Sequence, residues 1–247
     1  MQIVDRVGSL TAIVLATVTQ AFPAAVLWDL DGTLVGTEPY WMAAETDLVT
    51  SFGGAWTHDD ALTLVGSGLH NSARALQGRG VALDEDTIVE RLTDSVLEQM
   101  ETAVPWRPGA VELLTDLKKH EVPLALVTMS NGRMVRRIAD SIPITRGEPV
   151  FSVIVSGDMV REPKPHPEAY LLAAQRLGVA IEDCVAIEDS HTGLASALAS
   201  GSVTIGVPYQ LELSHSVAYH VWPTLVGKTA DSIATLFSRR APVTESP

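Results

Sequence analysis

The stretch Ala24-Ala25-Val26-Leu27-Trp28-Asp29-Leu30-Asp31-Gly32-Thr33 decides how this chain is read. Its apolar half does not alternate with polar residues, which marks a strand covered on both faces. Two carboxylates two residues apart at the end of such a strand can point into one crevice. Their repulsion calls for a cation, and Mg²⁺ with oxygen ligands suits them. A carboxylate is also a competent nucleophile toward phosphorus. Either aspartate alone reads equally well as a turn residue, since Asp-Gly is a turn signal. The buried strand before the pair and Gly-Thr after it favour a site.

Outward from this stretch, four more short apolar runs have strand length: Pro123–Val127, Val150–Val155, Cys184–Ile187 and Val203–Val207. Helical patterns lie between them at Gly109–His120, Arg133–Ser141, Pro167–Leu177 and Thr192–Ala199. Strands alternating with helices predict a doubly wound, parallel α/β sheet with right-handed crossovers. The interval Gly36 to Pro105 breaks the alternation with helical segments at Glu38–Phe52, His58–Leu64, Asn71–Gln77 and Asp84–Thr102. Thr37 and Asp84 stand where they can cap the first and last of these. The expected organisation is therefore an α/β core over 1–35 and 106–247, with an inserted all-helical cap over 36–105. Residues 1–22 are expected to be a tail, and Arg240–Pro247 a frayed end.

Composition bounds the function. The chain has 247 residues and a net charge of −13. Twelve acids against three bases fall between Gly36 and Pro105. That balance argues against nucleic acid and anionic membrane as partners. The lone Cys184 excludes an internal disulfide and a multi-thiolate zinc site. The uncharged run Leu10–Val18 is interrupted by Thr11 and Thr17 and followed by Pro23, with no small-residue cleavage motif. The expectation is a cytoplasmic protein without a membrane segment or an obligate protein partner.

Ligands of open parallel sheets bind at the carboxyl ends of the strands, so the polar residues there belong together. Thr128-Met129-Ser130-Asn131 offers a hydroxyl and free N–H groups ahead of a helix, suited to phosphate oxygens or to ordinary capping. Glu162-Pro163-Lys164-Pro165-His166-Pro167 is a stiff loop that fixes one ammonium. Glu188-Asp189-Ser190 adds a second acidic pair, equally readable as a helix cap.

In this order, Asp29-x-Asp31-x-Thr33, Thr128, Lys164 and Glu188-Asp189 resemble the haloacid dehalogenase (HAD) superfamily. The helical insert resembles the type-I cap of its β-phosphoglucomutase-like phosphatase branch, and the likeness spans Ala24 to about Pro208. The resemblance implies a Rossmann-like HAD core and a Mg²⁺-dependent phosphatase acting on a small phosphorylated metabolite through an aspartyl-phosphate. It casts Asp29 as nucleophile and Asp31 as general acid/base. Thr33 braces the loop, and Thr128 with the Met129 backbone holds phosphoryl oxygens. Lys164 offsets charge, Glu188 orients neighbours, and Mg²⁺ sits on Asp29, the Asp31 backbone carbonyl and Asp189. Ser67, Leu69, His70 and Arg74 are the candidate specificity positions of the cap. The chain departs from relatives at Trp28, usually Phe, and at Gly36, usually Asp. Where the mutase branch has a phosphate-gripping arginine stands Leu69, with Arg74 one turn on as a substitute. A sugar-phosphate mutase and a non-catalytic binding protein are the alternatives.

Overall fold

Strand β1 (Ala25–Trp28) is the centre of the molecule. It pairs in parallel with β2 (Leu124–Val127) on one side and β4 (Cys184–Glu188) on the other. The sheet is completed by β3 (Val153–Val155), β5 (Val203–Gly206) and β6 (His220–Val221), giving the order β3-β2-β1-β4-β5-β6 with every pairing parallel. The structure, a computed structural model, describes residues 21–101, 104–142, 149–213 and 219–239. The expected tail up to residue 20, the expected frayed end from residue 240 and Thr102 lie outside these residues. Phe22, placed in the tail by the sequence, packs on the core with its ring 5.1 Å from that of His120.

The non-alternating strands are apolar throughout because both faces are covered. Val26, Trp28, Leu124, Leu126, Val185 and Ile187 face one core layer with α5 (Ala110–Lys119), α6 (Gly132–Asp140) and α9 (Ala230–Ser238). Ala25, Leu27, Ala125, Val127, Cys184 and Ala186 face the other, against α7 (Glu168–Leu177) and α8 (His191–Ser200). Alanines dominate that second layer on both sheet and helices, which allows close helix–sheet approach.

Between β1 and α5 lie α1 (Glu38–Ser51), α2 (His58–Leu62), α3 (Leu69–Gln77) and α4 (Glu85–Gln99), with no strand among the described residues. Both α1 and α3 pack on α4. Asp84 caps α4, accepting from the Thr87 N–H at 2.9 Å. Thr37 does not cap α1: its backbone is already helical and its hydroxyl is committed elsewhere. Three further differences from the sequence reading are local. β3 begins at Val153 because Val150 and Phe151 are buried without joining the ladder. The two residues of β6 are too few to show a pattern, and α9, with Ile233 and Phe237 buried, was not anticipated.

Candidate active site

The order of the sheet reverses direction at β1, so the crevice past its carboxyl end is the switch point where ligands of such sheets bind. Asp29 leaves β1 with its N–H still on the Ile187 carbonyl at 3.0 Å. Beyond it the chain turns tightly: Gly32 N–H bonds the Val35 carbonyl at 2.7 Å, and Leu34 N–H the Leu30 carbonyl at 2.9 Å. Gly32 has φ of +83°, and a Cβ there would fall 1.9 Å from Asp189 Oδ2 and 2.0 Å from Glu38 Oε1. Only glycine serves both the left-handed backbone and that crowding. Thr33 is fully buried, but its hydroxyl has no partner among the described residues, so any bracing comes from its backbone.

Lys164 reaches this point from the proline-rich loop. Its buried ammonium donates to Asp29 Oδ1 at 2.8 Å, Glu188 Oε1 at 2.6 Å and the Val127 carbonyl at 3.0 Å. Tyr170 of α7 adds a hydroxyl bond to Glu188 Oε1 at 2.6 Å, and its ring lies 5.1 Å from the ammonium. Burial alone would depress the lysine, but the two carboxylates outweigh it and hold its pKa above the ordinary value. Burial pushes Asp29 up to about 7, with Glu188 adding to the rise and Lys164 opposing it.

The Asp31 carboxylate is clasped from two sides. Oδ1 accepts from the Thr37 hydroxyl at 2.5 Å and the Trp41 indole N–H at 3.0 Å. Oδ2 accepts from Ser130 at 2.6 Å and Thr128 at 3.3 Å. Thr128 also receives the Ser130 N–H at 3.0 Å, and Asn131 caps α6 by accepting from Met134 N–H. Met129 meets the lysine loop through its sulfur, 3.3 Å from the Lys164 nitrogen of the backbone.

Five buried carboxylate oxygens lack a donor among the described residues: Asp29 Oδ2, both oxygens of Glu38, Glu188 Oε2 and Asp189 Oδ2. One oxygen each from Asp29, Glu188 and Asp189 lies within 4.8 Å of the others. Burial, and then neighbouring carboxylates, raise Asp189 and Glu38 well above the ordinary range. Oxygen-only donors with excess negative charge fit a hard divalent cation. The Asp31 carboxylate stands outside this cluster, occupied by its four donors, which leaves only its backbone carbonyl for the metal role the sequence suggested. Glu188, expected to orient its neighbours, is the third carboxylate of this cluster.

Among the cap candidates, Ser67 and Leu69 line the pocket over Asp29, as do Glu38, Trp41 and Glu45. His70 and Arg74 do not. They face an adjacent cleft and are held by Asp86 at 3.0 Å and Glu85 at 2.8 Å. Glu38, Trp41 and Glu45 escaped sequence reading because an acid in a first helical turn and an aromatic on a helix are ordinary helix features.

A parallel switch-point sheet whose first strand delivers two aspartates beside a buried lysine defines a hydrolase class. The haloacid dehalogenase-like hydrolase model matches residues 26–207, and the chain belongs to that family. Hexitol phosphatase A of Escherichia coli is 35% identical over 73% of this chain and 81% of its own length. Phosphoglycolate phosphatase 1 of Pseudomonas aeruginosa is 30% identical over 83% of this chain and 76% of its own. A crystal structure of CbbY from Rhodobacter sphaeroides with xylulose-(1,5)bisphosphate shares 27% identity at a TM-score of 0.75, over 85% of this chain and 99% of that one. Within the family the chain is a phosphoric monoester hydrolase. Among the described residues no helix is long and apolar enough to cross a membrane.

Proposed function

We propose that this chain is a cytoplasmic, Mg²⁺-dependent phosphatase that hydrolyses the phosphomonoester of a small metabolite through an aspartyl-phosphate on Asp29, with the segment 36–105 acting as a cap over the site. The observation that carries the reading is one carboxylate, Asp29, fixed by a buried ammonium through Oδ1 while Oδ2 remains without a donor among the described residues. Bound Mg²⁺, held by Asp29, Glu188, Asp189 and the Asp31 carbonyl, would neutralise charge on the phosphoryl group. Lys164 keeps its proton throughout and fixes the attacking carboxylate. An Asp29 oxygen forms the bond to phosphorus as the ester P–O bond breaks, and Asp31 gives its proton to the departing alkoxide. The Thr128 and Ser130 hydroxyls turn from Asp31 to the phosphoryl oxygens, where the N–H groups ahead of α6 join them. Water then attacks phosphorus, its proton passes to Asp31, and inorganic phosphate and free Asp29 are regenerated. The hinge residue Thr37 and Trp41 of α1 bond Asp31 directly, so closure of the helical segment and readiness of the acid are coupled.

The mutase reading is disfavoured by one feature: Leu69 lines the pocket and Arg74 is turned to Glu85, so among the described residues no arginine of the segment 36–105 lines the pocket to meet a second phosphate. The test is release of inorganic phosphate from an aryl phosphate with Mg²⁺, and intact-mass analysis of two variants. Asp29→Asn is expected to lose turnover, and Asp31→Asn to accumulate one covalent phosphoryl group. Undiminished phosphate release by Asp29→Asn would overturn the assignment.

A further inference from the structure

Glu38 stands over the acidic centre with no part in the hydrolysis derived above. It opens α1, where a carboxylate ordinarily faces solvent and answers the helix N-terminus. Here the residue is 5% exposed, and neither of its oxygens has a hydrogen-bond partner among the described residues. A carboxylate buried and unanswered is costly, so its position calls for a ligand. Its direction is set against the loop after Asp29. A Cβ on Gly32 would fall 2.0 Å from Glu38 Oε1 and 1.9 Å from Asp189 Oδ2, and the latter also lacks a partner among the described residues. The two oxygens thus lie within about 4 Å of each other, where like charges inside a protein repel strongly. Neither neighbouring cation answers them. The three hydrogens of Lys164 go to Asp29, Glu188 and the Val127 carbonyl, and the Arg107 guanidinium bonds the carbonyls of Gly32 and Pro208.

We infer that Glu38 belongs to the outer shell of the divalent cation, accepting from a water bound to it, and that metal loading thereby fastens α1 to the loop after Asp29. This rests on the divalent-cation part of the reading given above. Distance selects the outer shell. Oxygens on opposite sides of one Mg²⁺ are about 4 Å apart, since each lies about 2.1 Å from the ion. Asp29, Glu188 and Asp189 each offer an oxygen within 4.8 Å of the others, and Glu38 is not in that set. Mg²⁺ dehydrates reluctantly and keeps several waters where protein ligands are few. A carboxylate beside Asp189 but outside the inner set is placed to accept from one of those waters. Partners of this kind orient the ligands and strengthen binding. The contact reaches the helical segment because Glu38 is the first residue of α1 and follows the hinge residue Thr37. The backbone N–H groups of Tyr40 and Trp41 bond the Thr37 carbonyl at 2.9 and 3.1 Å, so this first turn opens less readily once Glu38 is held. Glu45, further along the same helix, is the internal comparison: it is equally buried, but its carboxylate takes the Trp56 indole N–H at 3.3 Å.

The full chain is titrated calorimetrically with Mg²⁺ at about pH 8, without substrate, beside Glu38→Gln, Glu45→Gln and Asp189→Asn. Glu38→Gln is expected to weaken Mg²⁺ binding about tenfold or more, while Glu45→Gln binds the ion as the parent does. Hydrogen exchange at the Tyr40 and Trp41 amides is expected to slow on adding Mg²⁺ in the parent and to stay unchanged in Glu38→Gln. Undiminished affinity in Glu38→Gln, an equal loss in Glu45→Gln, or exchange in the parent indifferent to Mg²⁺ each overturn the inference. The exchange measurement on the parent decides even if Glu38→Gln fails to fold. Asp189→Asn separates the two levels. If the parent takes up no Mg²⁺, or Asp189→Asn takes it up as tightly, the metal reading itself fails. If Asp189→Asn loses binding while Glu38→Gln keeps it, only the place given to Glu38 is wrong.

Discussion

Lys164 concentrates the residue-scale physics. One ammonium, 2% exposed, answers two carboxylates that are themselves almost wholly buried. Removing one partner of such a set leaves uncompensated charge, which costs far more than the pair contributes net. Lys164→Met is therefore expected to destabilise the fold by about 3–5 kcal/mol and to abolish phosphate release. Thermal melting and phosphate assay check this, and a variant that melts like the parent would contradict the arrangement. Glu45 carries the opposite kind of prediction. Its native pKa is raised from 4.5 to about 7 by burial, so the folded chain binds this proton more tightly than the unfolded chain does. Stability from that proton is complete below the unfolded value and is lost as pH climbs through the native one. Glu45→Gln should flatten the decline of Tm across that window and gain about 2–3 kcal/mol above it. An identical pH slope in variant and parent would sink the assignment. The convergence of Asp29, Asp31, Lys164 and Asp189 on one crevice was legible because each stands at the end of a recognisable strand or in a rigid loop. Thr37, Trp41 and Glu38 were not, since their positions on α1 carry ordinary capping, dipole and packing meanings.

At the scale of elements, the hinge between β1 and α1 explains why this chain carries Gly36. A Cβ at that position would sit 2.6 Å from the Tyr209 hydroxyl. Tyr209 is held there by Arg107, whose guanidinium lies 4.2 Å from the ring centre and donates to the carbonyls of Gly32 and Pro208. The backbone of Arg107 bonds the Leu34 carbonyl at 2.8 Å, and Gly36 N–H bonds the Pro105 carbonyl at the same distance. Both chain crossings into the helical segment are thus tied to the loop after Asp29 and to the turn after β5. The missing side chain of Gly36 is replaced in space by a tyrosine from a distant part of the chain, which no local pattern reveals. Gly36→Ala must push Tyr209 off Arg107 and is expected to cost about 1–2 kcal/mol, near 2–4 °C in Tm per kcal/mol for a chain of this size. Tyr209→Ala in the same background should recover part of the loss. Strict additivity of the two changes in melting experiments would rule out the contact. Strands β1, β2 and β4 were readable because burial on both faces makes them continuously apolar. β6 has two residues paired to β5 at the sheet edge, too short for periodicity to register.

Across the whole molecule, the acidic centre sets function against stability. Five carboxylate oxygens without a partner among the described residues gather where β1, β4 and α1 meet, in a chain of net charge −13. Burial raises Asp189 and Glu38 well above the ordinary range, with Glu38 and Asp29 adding to the rise at Asp189, and Asp31 and Asp29 to that at Glu38. A raised native pKa means that stability from those protons is present at low pH and drains away as pH rises, so the metal-free chain should melt at lower temperature at about pH 8 than at about pH 5. A divalent cation competes with the protons and reverses the effect. Mg²⁺ at about a hundredfold excess over its dissociation constant adds roughly 2.7 kcal/mol. At this chain length that corresponds to a rise of roughly 5–10 °C in Tm. The gap between metal-loaded and metal-free melting should widen as pH increases. Asp189→Asn separates the two effects: losing one buried charge is expected to raise the metal-free Tm at the higher pH while cancelling most of the Mg²⁺ response. Carboxylates arranged for a cation are a liability until it binds, which is the usual exchange of stability for activity at such sites. A Tm indifferent to Mg²⁺ at the higher pH, or an Asp189→Asn variant that responds to the ion as the parent does, would show that the cluster serves something other than a metal.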